Sequence, residues 1–243
     1  MGLRLGDLTD DQRYDEWIRI IRRIYDEQVS QAWSYYMFRL LRAVFVANEG
    51  LSNEGGFIFE WVVRNYVDSS LMLLRRELDG VHGTECIQQL LLDMLDHPTV
   101  LTRGRYLSRR PNGHLRDLLA EEAFSKYAGS STADRVPPDV IRVDLAQLEA
   151  AADHLRVFAE RTRAHRTPEQ GIDPQGMTFG ALHDALTEVR AVIAKYYALL
   201  TQRVIAQWEA VPQYDVVRPF LLPWVHDRTT VERLAREGEY RKG

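Results

Sequence analysis

Trp17, Ile20, Ile21 and Ile24, followed by Trp33, Met37, Leu40, Leu41 and Val44, recur at intervals of three and four residues. That is the period of one face of an α-helix. Thr9, ahead of Asp10, Asp11 and Gln12, supplies an N-cap and an acidic first turn, so a helix is predicted to begin there. The stripe persists to Asn48–Gly50 and predicts either one long helix or two helices broken near Glu27–Ser30. A second segment opens at Gly55-Gly56 with Phe57, Ile58, Trp61, Val62, Tyr66, Leu71, Leu74 and Leu78. This surface is too broad for one half-buried face and predicts a central helix, ended by Asp79-Gly80. Thr84 is positioned to cap a shorter helix through Ile87, Leu91 and Met94, which His97-Pro98 stops.

From Thr99 to Pro138 the pattern is interrupted by Arg-Gly-Arg, Pro-Asn-Gly, Gly-Ser-Ser-Thr and Pro-Pro, which reads as a long excursion. Within it Leu115, Leu118, Leu119 and Phe124 predict one helix over 115–127, too little to enclose a core of its own. Leu145, Leu148, Ala151, Ala152, Leu155 and Phe158 predict a helix over 139–163. Another follows a loop with Pro168, Gly171, Pro174 and Gly176, capped by Thr178 and running from Phe179 to Leu200. Pro212, Pro219 and Pro223 forbid regular helix around Trp208, Tyr214, Phe220 and Trp224, so this apolar stretch is expected to pack along the bundle in extended form. Strand alternation, hairpin signals and fixed-period repeats are missing. The expected fold is all-α, a bundle of about five or six helices. Residues 1–228 are read as one domain and 229–243 as a short tail.

A net charge of −4 gives no overall field to draw in nucleic acid or an anionic membrane, so any such site has to be local. Cys86 is the single cysteine, which excludes an internal disulfide framework and, without a signal-like N-terminus, predicts a cytoplasmic protein. Glu60, Arg64 and Asp68 interrupt the most apolar stretch, so no membrane span is expected. Walker A, dinucleotide-binding, zinc-peptidase and nucleophile-elbow motifs are missing, and the seven histidines show no ligand spacing, so neither a metal nor a cofactor is expected. His82, His97, His114 and His226 fall in or beside loops, where a solvated side chain is the simpler reading.

The densest chemistry runs from Asp153 to Arg166. His154, Phe158, Arg161 and His165 stand at i, i+4, i+7 and i+11, which puts two imidazoles and a guanidinium on one helical stripe. An imidazole can move a proton near neutral pH and an arginine can hold a phosphate. Together they could cleave RNA by attack of its own 2′-hydroxyl, without a metal. The same cations, with Arg156, Arg163 and Arg166, equally suit the C-terminus of a helix, where each gains about 0.3–1 kcal/mol from the helix dipole. A second basic stretch, Arg103, Arg105, Arg109, Arg110, His114 and Arg116 with Tyr106, could bind phosphate and stack a base, or simply be solvated surface. Arg75 and Arg76 at a helix end are expected to pair with carboxylates of neighbouring helices, and Arg64 with Asp68 along their own helix.

Leu73-Leu74-Arg75-Arg76-Glu77-Leu78-Asp79, Leu90 to Leu95 and His97 to Arg103, taken together, resemble the middle of the abortive-infection U-type proteins, bacterial members of the HEPN superfamily. Leu155-Arg156 through Ala164-His165 is similar to their arginine-rich helix ending in Ala-His. Met177 to Leu182, Tyr196-Tyr197, and Tyr214-Asp215 to Pro223-Trp224 resemble their C-terminal part. The resemblance implies a helical bundle, homodimers, a phage-defence or toxin–antitoxin setting with a partner encoded nearby, and RNA as substrate or ligand. It implies metal-independent cleavage with His165 moving the proton and Arg161 or Arg156 on the phosphate. His154, Arg163, Arg166 and the basic stretch of Arg103, Arg105, Arg109 and Arg110 would then contact RNA. The spacing departs from the family's: its motif sets Arg and His further apart than Arg161 and His165 and closer than Arg156 and His165, and Arg166 stands where an Asp is common. The alternative is a non-enzymatic interaction or regulatory protein that docks through the excursion or the aromatic C-terminal stretch.

Overall fold

The computed structural model describes residues 7–48, 50–51, 56–79, 81, 83–109, 114–164, 179–209 and 211–221, with side chains at all of these except 114–119, 152 and 154–164. Thr9 opens the first helix, α1 (Asp10–Ala47), with a capping box: its hydroxyl accepts from the Gln12 N–H at 3.3 Å and the Gln12 side chain accepts from the Thr9 N–H at 2.9 Å. The stripe is continuous, so α1 is one helix of 38 residues with no break near Glu27–Ser30. Among the described residues it is followed by α2 (Gly56–Glu77), α3 (Ile87–Asp96), α4 (Arg103–Ser108), α5 (His114–Ala128), α6 (Pro138–Ala164) and α7 (Phe179–Thr201), with a 3-10 turn at Arg218–Leu221. The fold is all-α. Among the described residues the only β pairing is an isolated bridge between Thr102 and Arg135.

The most buried helix is α7, and the chain is arranged around it. α1 lies antiparallel to it, in a register marked by the Tyr14 hydroxyl donating to the Leu200 carbonyl at 3.3 Å, by Arg190 against Gln28, and by Phe38 stacked 5.4 Å from Phe179. On another side α6 runs antiparallel to α7, joined where Asp144 accepts from the Lys195 ammonium and the Tyr196 hydroxyl, each at 2.6 Å. α2 folds back along α1, with Phe38 stacked on Tyr66 at 4.5 Å and Phe45 5.2 Å from Phe59. α3 is tied to the root of α1 through Asp93, which accepts from Arg13 at 2.7 and 3.0 Å and from the Trp17 indole at 2.7 Å. Buried side chains from Tyr14 to Leu200 form one cluster.

Several expectations are corrected by packing. α2 is not central: only Tyr66, Ser70, Leu73, Leu74 and Glu77 are buried on it, and its first half runs beside the end of α1, where Phe59 lies against Phe45. The cap of α3 is Cys86, whose sulfur accepts from the Gln89 N–H, while the Thr84 hydroxyl donates to the Val81 carbonyl at 2.7 Å. The Arg-Gly-Arg stretch is helical, as α4, capped by Thr102. The excursion is part of the core, since Tyr106, Ala120, Phe124 and Val136 are buried in the common cluster. It is clasped to α7 by Gln202, whose left-handed backbone (φ 58) ends that helix and whose side chain donates to the Tyr106 carbonyl. A non-glycine residue adopts this conformation at a cost of about 1–2 kcal/mol, which the clasp offsets. Beyond α7 the chain continues without regular helix up to Arg218, and Ile205 and Trp208 pack on the core. The Thr178 cap and the helix expected over 229–240 lie outside the described residues. No helix of the described residues is long and apolar enough to cross a membrane.

Candidate functional site

The stripe of imidazoles and guanidiniums belongs to α6. Pro138, at the first helical position, and Asp139 in the first turn start that helix, and it continues unbroken to Ala164. His154, Arg156, Arg161 and Arg163 therefore occupy its last three turns, with 154, 158 and 161 in register on one face. Their side chains, and His165 and Arg166 altogether, lie outside the described part. The root of the same helix is fixed by buried groups. Asp144, 6% exposed, holds Lys195 and Tyr196, and burial beside this carboxylate raises the Tyr196 phenol far above its ordinary range.

The second basic stretch is closed by the chain's own acceptors. Arg103 donates to the Ala133 carbonyl at 2.9 Å, to the Glu121 carboxylate at 2.6 Å and to the Ser125 hydroxyl at 3.1 Å, and its guanidinium lies 4.8 Å from the centre of the Phe124 ring. Arg105 pairs with Asp11 at 3.1 Å and donates to the carbonyls of Thr99 and Val100. Arg109 pairs with Asp15 at 2.5 Å and covers the Tyr14 ring at 4.3 Å. Tyr106 is 1% exposed, so it is a core residue and not a platform for a base. Arg105 and Arg109 hold the excursion against the acidic first turns of α1, and Arg103 ties the excursion to itself. Arg110, and the side chains of His114 and Arg116, lie outside the described residues.

Two charged groups missed by the sequence reading are buried instead. The Glu77 carboxyl is fully buried; one oxygen accepts from the Ile87 N–H at 3.2 Å and the other has no hydrogen-bond partner among the described residues. Burial pushes its pKa up to about 7, against the opposing pull of that hydrogen bond and of Arg76. Arg190 is 8% exposed and donates to Gln28 at 3.2 Å, with Trp208 packed over its guanidinium at 5.7 Å, and burial lowers its pKa. Its place between Leu186, Val189 and Ile193 was a readable signal: a lone cation inside an apolar stripe.

No family model, no curated protein and no solved structure matches the chain. The remaining surface feature of note is the outer side of the α1–α2 pair. An open cleft of about 590 Å³ lies there, between Ser30 and Ser34 of α1 and Met72 and Arg75 of α2. Arg76 beside it pairs with Glu27, the cross-helix pairing its position predicts. Arg64 does not form the expected pair with Asp68 and has no ion pair among the described residues. Among those residues no group of three or more His, Cys, Asp or Glu side chains is placed to hold a metal ion.

Proposed function

We propose that this is a HEPN-like, RNA-directed protein of a bacterial phage-defence or toxin–antitoxin system, acting in the cytoplasm as a metal-independent endoribonuclease or as an RNA-binding relative of one. The observation that carries this reading is the unbroken course of α6 to Ala164. Positions 154, 156 and 161 share the last three turns of that helix, and His165 follows Ala164 in the sequence. In the proposed reaction one imidazole, His165, takes the proton from a ribose 2′-hydroxyl while an arginine holds the phosphate. The new bond from that oxygen to phosphorus replaces the bond to the 5′-oxygen, and the leaving oxygen takes up a proton from water. The products are a 2′,3′-cyclic phosphate and a free 5′-hydroxyl.

Incubation of the full chain with mixed RNAs in a chelator tests this. The expected outcome is cleavage to cyclic-phosphate ends that falls by about a hundredfold or more in His165→Ala, with an unchanged far-UV circular dichroism spectrum. Folded protein that neither cuts nor retards any RNA overturns the proposal. The closed basic excursion favours a second reading, a non-enzymatic interaction protein. In that case the docking surface is the exposed aromatic end of α2, because the excursion is built into the core.

A further inference from the structure

Arg190 is a permanent cation set into an apolar stripe of α7, where Leu186, Val189 and Ile193 are all buried. Its hydrogen bonds go to Gln28 alone, from Nε to the side-chain oxygen at 3.2 Å and from Nη2 to the main-chain carbonyl at 3.5 Å. Among the described residues no carboxylate pairs with it, and most of the guanidinium's N–H groups have no protein acceptor. Burying a cation without a counter-charge costs more than hydrogen bonds to a neutral amide return, so a guanidinium held in such a place is a candidate for binding.

Gln28 supplies a second, independent signal. Its side chain is fully buried and its orientation is fixed: Arg190 Nε can only donate, so the atom facing it is the amide oxygen. The Nε2 group at the other corner of that amide is a buried donor with no acceptor among the described residues. Two side chains already bonded to each other therefore both present N–H groups that lack an oxygen. Trp208 covers the pair from the stretch that follows α7. Its ring centre stands 5.7 Å from the guanidinium, against 4.3 Å for Tyr14 over Arg109 and 4.8 Å for Phe124 over Arg103. From Val204 to Tyr214 no hydrogen bond ties the described chain to the rest of the fold, and the stretch is held by the packing of Ile205 and Trp208, the latter 5.8 Å from Tyr25. An indole held by packing alone can shift and stack on what enters.

We infer that Arg190 and Gln28, beneath Trp208, form a binding site for the carboxylate of a small, flat organic acid. One carboxylate oxygen accepts from the guanidinium and the other from Gln28 Nε2, and the planar group matches the planar fork. A carboxylate brings one negative charge to one guanidinium. A phosphate would bring nearly two, and no second cation contacts the pair among the described residues. The flat body of the acid lies against Trp208 and Tyr25, the aromatic side of the site. This site stands independently of whether the chain cuts RNA.

Calorimetric titration of the full chain with sodium benzoate tests the site, with neutral benzamide and inorganic phosphate at matched ionic strength beside it. Benzoate is expected to bind once per chain with a Kd of roughly 1 mM or tighter, and the other two at least about tenfold more weakly. Arg190→Met should lose benzoate binding, and Arg190→Lys, which keeps the charge without the fork, should fold as the wild type does and raise the Kd about tenfold. Benzoate should also shift the tryptophan emission of the wild type, and Trp208→Phe should lose that shift while still releasing heat of binding. Absence of binding up to roughly 20 mM benzoate, benzamide or phosphate bound as tightly as benzoate, or a Kd unchanged in Arg190→Lys overturns the site.

Discussion

Replacing Glu77 by Gln should change how stability depends on pH, and the size of the change follows from the burial of its carboxyl. In the unfolded chain this group titrates near 4.5, whereas in the fold it titrates near 7. The folded protein therefore holds the proton more tightly, so the stabilisation is complete below pH 4.5 and is lost as the pH rises through 7. A displacement of that size corresponds to about 3 kcal/mol, or about 6–12 °C in Tm for a chain of this length. Gln retains a carbonyl oxygen for the Ile87 N–H and cannot ionise, so the variant should be as stable as the wild type at pH 4.5 and more stable by about 3 kcal/mol at pH 8. Urea unfolding at intervals between these values gives the difference directly. Opposite slopes from other groups, such as Glu85, which Arg19 holds below the usual carboxylate range, are common to both proteins and cancel. Parallel curves for variant and wild type would show that Glu77 is not ionising in a dry site.

Arg103→Ala should lower stability by about 2 kcal/mol in urea, since it removes charge-assisted hydrogen bonds that hold α4 to α5 and the following loop. It should leave any RNA affinity unchanged, and a lower RNA affinity at unchanged stability would return this side chain to a binding role. Asp144→Ala should lower stability by about 3 kcal/mol, because it leaves the Tyr196 hydroxyl without its acceptor and Lys195 without its counter-charge. A loss below about 1 kcal/mol would mean that water or another group replaces the carboxylate.

The all-α fold was legible because α1, α6 and α7 each carry a stripe long enough to fix the type of element, though not whether α1 is one helix or two, and because Thr9, Asp79 and His97 mark ends by local chemistry. α4 was not legible: its six residues read as Arg-Gly-Arg punctuation, and what makes them helical is the Thr102 cap and burial of Tyr106 against Phe124, 5.4 Å away. The apolar breadth of α2 was read as a central position, and periodicity alone does not say how much of such a surface the rest of the chain covers. For the basic stretch, sequence gave the donors and not the acceptors: Asp11 and Asp15 are about ninety residues away from the arginines they meet. The arginines and histidine at the end of α6 were visible as a spacing, and the helix that carries them has the expected limits to within one residue.

α1 has 38 residues and α7 has 23, so at 1.5 Å per residue the first helix is longer by about 22 Å, and Phe38 is where α7 starts beside it. A rod held by α7 along one part and by α2 beyond it does not melt as a unit. Amide protons near Ile20 and Ile24 should exchange only when the whole molecule unfolds, while those past Phe38 are released by openings that leave the packing on α7 intact. One uninterrupted helix thus spans two regimes of motion, a frame at its origin and a limb at its tip.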